Sequence, residues 1–195
     1  MKLPEFDKLV SQQSSFIAEQ GGFAVLRKNK AMAMLRYPKF RFRPSHADAL
    51  HVDLWVNGFN ILKDGGSYSY NTEENWINYF SGTVSHNTIM FDDKEQMPKV
   101  SRFLFGDWLK TSRIQPLAKG NDFISYGIGY KTINDVSHFR SISLYDHQLL
   151  VLDQLDGFNN KAVLRWRLPF GEWRMEKESN EISLINDKFK GFTLS

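Results

Sequence analysis

Residues 43–70, RPSHADALHVDLWVNGFNILKDGGSYSY, decide how this chain is read. Leu50, Val52, Leu54 and Val56 alternate along one strand face, and His51, Asp53 and Trp55 share the other. Asn57-Gly58 between them is a two-residue hairpin signal, because both central positions of such a turn need positive φ. Residues 59–62 return antiparallel and run into Asp64-Gly65-Gly66. His46, Asp48, His51, Asp53 and Asp64 crowd into this one hairpin, and a second polar knot, Ser85-His86-Asn87-Thr88, follows it.

Working outward, the grammar is mostly that of strands. Residues 23–26 and 31–35 read as a hairpin, and residues 37–43 alternate aromatic and basic side chains. That alternation fits an edge strand with a solvated basic face, or a cationic rail for an acidic chain. Residues 71–75 read as a loop reaching Trp76, and residues 88–91 as a short strand. Further strands are expected at 123–131, 139–145, 148–155, 162–168 and 182–185, with turns at Asp146-His147, Asp156-Gly157 and Phe170-Gly171. Strands punctuated this often point to an all-β antiparallel β-sandwich. Before them, residues 4–20 place Phe6, Leu9, Val10, Phe16 and Ile17 near one helical face, stopped by Gly21-Gly22. The expected organisation is a short N-terminal helix and linker over residues 1–22, left from an upstream region, then one β-domain over residues 23–195. The strand-like pattern at residues 192–195 reads as a domain cut before its end.

Composition narrows the function classes. The net charge of +3, without a Lys/Arg block, does not argue for nucleic acid. No apolar run reaches signal-peptide or membrane-span length. With no cysteine, disulfide and thiolate chemistry are excluded, and any metal must use histidines and carboxylates. The 16 Phe, 7 Tyr and 5 Trp suit strands and flat, sugar-stacking surfaces equally.

Two His and one Asp with an open fourth position make a plausible Zn²⁺ site. Strand counting bears on which histidine. A two-residue turn pairs Val56 with Phe59, and continuing the count opposes Asp64 to His51. His46 would then lie about 16 Å away along an extended strand. It reaches Asp64 only if residues 44–49 bend back or carry a bulge.

Residues 45–70, followed by YFSGTVSHNTIMFDDKEQ (79–96), resemble the C-terminal β-domain of the heparinase II/III-like family. The pattern is His-Ala-Asp, a hairpin, Leu-x-Asp-x-Gly, Tyr-x-Tyr, then His-Asn-Thr. VSHFRSISLYDHQLLVLDQLDG (136–157) is similar to the family's His-x-Arg strand pair, so the resemblance covers residues 23–173.

The resemblance implies a polysaccharide lyase domain. Such enzymes act on uronic-acid polymers by β-elimination, in which a base removes the C5 proton, the carboxylate is neutralised and the 4-linked sugar leaves. It implies an acidic polysaccharide or oligosaccharide as partner, and a periplasmic or cell-envelope parent enzyme. It also implies an α/α-toroid that supplies the principal base, which 195 residues cannot hold beside this β-domain. Carried over by position, His46, Asp64 and His86 match a largely structural metal site, expected to hold Zn²⁺, with His51 as rival to His46. Arg43, Tyr70 and Asn87 are the candidates to face the sugar. Many members carry a catalytic His where this chain has Pro44, so His51, His138 and Tyr70 are the remaining catalytic candidates. The isolated chain is therefore expected to be inactive. The alternatives are a non-catalytic carbohydrate-binding or assembly module, and a metal-stabilised sandwich with no sugar role.

Overall fold

A computed structural model describes residues 14–178 and 181–185. The first sheet has five antiparallel strands in chain order: β1 (Phe16–Ala18), β2 (Phe23–Lys28), β3 (Ala31–Arg36), β4 (Val52–Val56) and β5 (Phe59–Leu62). A short helix, α1 (Glu74–Ser81), and a 3-10 turn (Thr83–Ser85) then lead to β6 (Ile89–Phe91). A small hairpin of β7 (Lys99–Ser101) and β8 (Leu104–Phe105) precedes the second large sheet. That sheet consists of β9 (Lys110–Lys119), β10 (Phe123–Lys131), β11 (Ser137–Tyr145) and β12 (Leu149–Asp156), in the order β12-β11-β10-β9. Next, β13 (Ala162–Leu164) pairs with β6, and β14 (Arg174–Glu178) pairs with β15 (Glu181–Ile185).

The core lies between the two large sheets. Leu26, Ala33, Leu35, Val52, Leu54 and Ile61 of the first sheet form one buried cluster with Tyr126, Ile128, Tyr130, Ile142 and Leu144 of the second. Each fully buried aliphatic side chain of this kind stabilises the fold by about 1.5–3 kcal/mol. The expected antiparallel sandwich is thus present. Among the described residues no helix is long and apolar enough to cross a membrane.

Four local expectations need correction. The helix expected over 4–20 ends as a strand: Phe16, Ile17 and Ala18 pair with Val25, Ala24 and Phe23, while residues 4–13 lie outside the described residues. The backbone N–H groups of Gly21 and Gly22 both donate to the Ala18 carbonyl, so the two glycines make a hairpin turn rather than a helix stop. Residues 37–43 are irregular, not an edge strand. Pro38 has no N–H for a ladder, and Tyr37 turns inward to 4% exposure. The loop expected before and around Trp76 contains α1, whose Ile77 is buried while Trp76 and Tyr79 remain exposed. The strand expected over 162–168 stops at Leu164.

The β4–β5 hairpin begins as counted, with Val56 opposite Phe59 and Trp55 opposite Asn60. Asn57 and Gly58 take φ of 51° and 80°, the left-handed pair that this turn requires. A register shift then opposes Leu54 to Leu62, an irregularity that the count did not contain. It sits immediately before the segment that delivers Asp64.

Candidate functional site

Three segments converge beyond the ends of β4 and β5. The first carries His46 and Asp48, the second Asp64, and the third His86, which follows the 3-10 turn. Leu50 adopts φ 60°, an unusual value for a branched residue, and reverses the chain ahead of β4. The His51 N–H donates to the Asp48 carbonyl, and the Ala47 N–H to the Ser81 carbonyl. This is the backward bend that His46 needs. It brings the His46 ring to 5.4 Å from that of His86, with His51 5.6 Å from His86 on another side.

Asp64 is the hub. Its Oδ2 accepts from His86 Nδ1 at 2.6 Å and lies 3.8 Å from His51 Nε2. Its Oδ1 accepts the Gly66 N–H at 2.6 Å. Burial raises the Asp64 pKa, but the His86 hydrogen bond, the neighbouring imidazoles and the Gly66 N–H outweigh it and hold the carboxyl well below the usual range. His46 contacts Ser67 Oγ through Nε2 at 3.4 Å. Its pKa is lowered by burial and then by His86. His51 is 4% exposed, and burial pushes its pKa down to about 4.

The donor set fits a zinc-like ion. Ligand atoms of His51, Asp64 and His86 all lie within 4.8 Å of one another. Nε2 of His86 and Nε2 of His51 are buried without hydrogen-bond partners, and a buried unpaired ring nitrogen has a cost that a ligand can relieve.

The scaffold is tightly hydrogen-bonded. Asn87 Nδ2 donates to the carbonyls of Val52 and Lys63, and its Oδ1 accepts the Arg167 N–H. Gln96 brackets Ala49, accepting its N–H and donating to its carbonyl, while Thr88 Oγ1 donates to that same carbonyl. Arg36 pairs with Asp48 at 3.3 Å. The exposed loop beyond Asp64 carries Tyr68, stacked on Phe80 at 5.4 Å between centroids, with Trp76 also stacked on Phe80 at 6.2 Å.

The sequence candidates divide. His46, His51, Asp64 and His86 are brought together. Tyr70 is 73% exposed on the adjoining loop, against Phe103, and Arg43 is exposed next to the buried Pro44. Asn87 does not face a sugar: it is fully buried, and both its amide donor and its acceptor serve the fold. His138 does not offer a surface base. It is fully buried and bonded through Nε2 to Asp153 at 2.7 Å. No role was expected for Gln96, Arg140 or the Arg36–Asp48 pair: the His-Ala-Asp pattern contains Asp48 and the His-x-Arg pattern contains Arg140, while nothing local marked Gln96.

Comparison with known proteins adds to this geometry. A heparin-sulfate lyase of Bacteroides stercoris is 28% identical over 133 residues, which is 65% of this chain and 18% of that protein. A heparinase III gene product of known structure superposes with a TM-score of 0.71 at 19% identity, over 89% of this chain and 26% of its own. A heparan sulfate lyase, HepC, of Pedobacter heparinus gives a TM-score of 0.68 at 20% identity, over 89% and 27% respectively. These two structures speak for the fold, and the chain spans only about a quarter of each or less of the curated relative. The domain described as "Heparinase II/III-like, C-terminal" matches residues 11–194, and the chain therefore belongs to the heparinase II/III-like family.

Proposed function

We propose that this chain is the β-domain of a polysaccharide lyase that cleaves uronic-acid-containing polysaccharide by β-elimination, and that His46, Asp64 and His86 hold one Zn²⁺. What supports the reading is that His86 bonds Asp64 and that the His46 ring lies 5.4 Å from that of His86, in a chain of this family, with His51 as the rival third ligand by proximity. The metal would tie together the segment before β4, the end of the first sheet and the turn after α1. Tyr70 and Arg43 are both exposed, and in this reading their hydroxyl and guanidinium would meet a sugar carboxylate. Neutralising that carboxylate is what makes the C5 proton removable.

The principal base belongs to the α/α-toroid that the family resemblance implies. Pro44 leaves no imidazole at its position, and both remaining histidine candidates are buried: His51 at 4% exposure and His138 at 0%. The 195-residue chain alone should therefore be inactive. A second reading, a non-catalytic carbohydrate-binding module, draws on the same Pro44.

The test is a pair of assays on heparin, heparan sulfate and alginate, following the ultraviolet absorbance of the unsaturated product. We expect no turnover from this chain, and turnover when a toroid domain is fused upstream. Turnover by the chain alone would refute the division of labour. Uronate binding without turnover in the fusion would favour the binding module. Elemental analysis of protein purified without metal-affinity steps tests the zinc.

A further inference from the structure

We infer that His51 is a positioning residue outside the metal shell, with its ring proton fixed on Nε2 and directed at Asp64. This inference rests on the zinc reading above for its consequence, but on hydrogen-bond geometry for its content.

The backbone N–H of Asn87 donates to His51 Nδ1 at 2.9 Å. A ring nitrogen that accepts must present its lone pair, so the single proton of the neutral imidazole sits on Nε2. That Nε2 is buried, lacks a hydrogen-bond partner and lies 3.8 Å from Asp64 Oδ2. A ligating imidazole is arranged the other way round. It gives a lone pair to the metal, and its other nitrogen donates to a carboxylate, carbonyl or water. For His51 to ligate through Nε2, its proton would have to move to Nδ1. Two N–H groups would then face each other in a buried site.

The Asn87 N–H cannot turn aside, because Asn87 is fixed on three sides. Its Nδ2 bonds the Val52 and Lys63 carbonyls, its Oδ1 takes the Arg167 N–H, and its own carbonyl takes Arg140 Nη1 at 2.7 Å.

The other two imidazoles carry no such constraint. His86 reaches Asp64 through Nδ1 and keeps a buried Nε2 without a partner. His46 faces the Ser67 hydroxyl, which can donate or accept and so suits either tautomer. Proximity alone groups His51 with Asp64 and His86. Proton placement favours His46 over His51 as the ligand and leaves His51 as an N–H that faces the Asp64 carboxylate from 3.8 Å and helps to orient it.

The experiment uses the full chain, with long-range ¹⁵N–¹H correlation of the imidazoles, chelator competition for Zn²⁺ and visible spectra of the Co²⁺ form. We expect the Nε2–H pattern for His51 both without metal and with Zn²⁺. His51→Gln retains an N–H donor but has no imidazole lone pair. It should bind Zn²⁺ within about threefold of the native chain and leave the Co²⁺ spectrum unchanged. His51→Asn keeps an acceptor for Asn87 but is too short to reach Asp64, and should weaken binding about tenfold or more without changing that spectrum. An Nδ1–H pattern, loss of the Co²⁺ spectrum in His51→Gln, or native affinity in His51→Asn would each overturn the inference. If the native chain takes up no metal, the zinc reading fails, and the tautomer of metal-free His51 still decides this one.

Discussion

Arg140 and Asp153 form a two-pronged ion pair inside the sandwich, Nε to Oδ1 at 2.7 Å and Nη2 to Oδ2 at 2.9 Å. Arg140 is fully buried, and its Nη1 also donates to the carbonyls of Leu50 and Asn87, each at 2.7 Å. The second sheet thereby holds both the reversal at Leu50 and the residue after His86. Burial raises the Asp153 pKa, but the hydrogen bonds from His138 and Arg140 outweigh it and keep the carboxyl well below its usual range.

Arg140→Met should therefore destabilise the chain by about 3–5 kcal/mol, because it leaves the half-buried Asp153 carboxylate with His138 but without its cation and takes a donor from the carbonyls of Leu50 and Asn87. Arg140→Met with Asp153→Leu should cost less than the sum of the single changes, since the stranded charge goes too. Chemical denaturation of the two single variants and the double variant measures this. Additive costs would show that the pair does not act as a unit.

Stability of the metal-free chain should fall as the pH drops from about 6.5 toward 4. His51 has an ordinary pKa of about 6.5 unfolded and about 4 folded, so the unfolded state binds more protons within that window. The stabilisation is complete above the unfolded value and is lost as the pH falls through the folded one. This shift corresponds to about 3 kcal/mol, and His46 and His138 are shifted in the same direction by burial. Asp64 and Asp153 contribute only at lower pH, where carboxylates begin to protonate. Urea denaturation with chelator across this window should show the slope, and His51→Gln should flatten it. A flat native profile would contradict the assignment.

Much of the sandwich is legible because its signals are local. The strand expected over 123–131 is β10 at the same limits, and the Asn57-Gly58 turn is where the residue pair demands it. Missed elements lacked such signals. β9, for which no element was expected, carries Pro116 and polar neighbours that give no strand alternation, yet it is a sheet edge, where a missing N–H is tolerated. Phe16 and Ile17 fit helical spacing as well as a strand, and only the pairing with Val25 and Ala24 decides. At the site, residue types and order marked His46, His51, Asp64 and His86 as candidates; the strand count favoured His51, and the family resemblance preferred His46. Asn87 misled because an exposed-looking Asn-Thr pair turned out to be the peg between Val52, Lys63 and Arg167. The Leu50 reversal is held by long-range bonds to Arg140 and by Gln96 at the neighbouring Ala49, which no local pattern encodes.

Gly65→Ala should damage the site although Gly65 needs no unusual backbone angle. A Cβ there would meet the Ser85 carbonyl oxygen at 2.7 Å and Ser85 Cβ at 3.0 Å. Both belong to the turn that sets His86, so relief of the clash must separate Asp64 from His86. We expect a loss of about 1–3 kcal/mol, the usual cost of overpacking, together with weaker metal binding. Gly66→Ala is the contrast. It has open space around its Cβ position but a φ of 74°, so it should cost stability through backbone strain and disturb metal binding less. Equal metal affinity in native chain and Gly65→Ala would show that the two loops are not coupled.

Zinc should raise the melting temperature, because only the folded chain brings His46, Asp64 and His86 together. At a free concentration one hundred times Kd, the linkage is worth about 2.7 kcal/mol, or about 5–10 °C for a domain of this size. A chelator should reverse the gain. His86→Ala should lower the starting melting temperature, since it empties a wholly buried position, and should abolish the response to zinc and chelator alike. His46→Ala should abolish the response with a smaller loss of basal stability, because His46 is only partly buried. His147, exposed in the turn between β11 and β12, is the control: His147→Ala should change neither quantity. Melting curves with zinc, with chelator and with neither, run beside elemental analysis, read all three variants. A native chain that carries no stoichiometric transition metal and melts identically with and without chelator would remove the zinc, and these side chains would then be ordinary hydrogen-bonding residues.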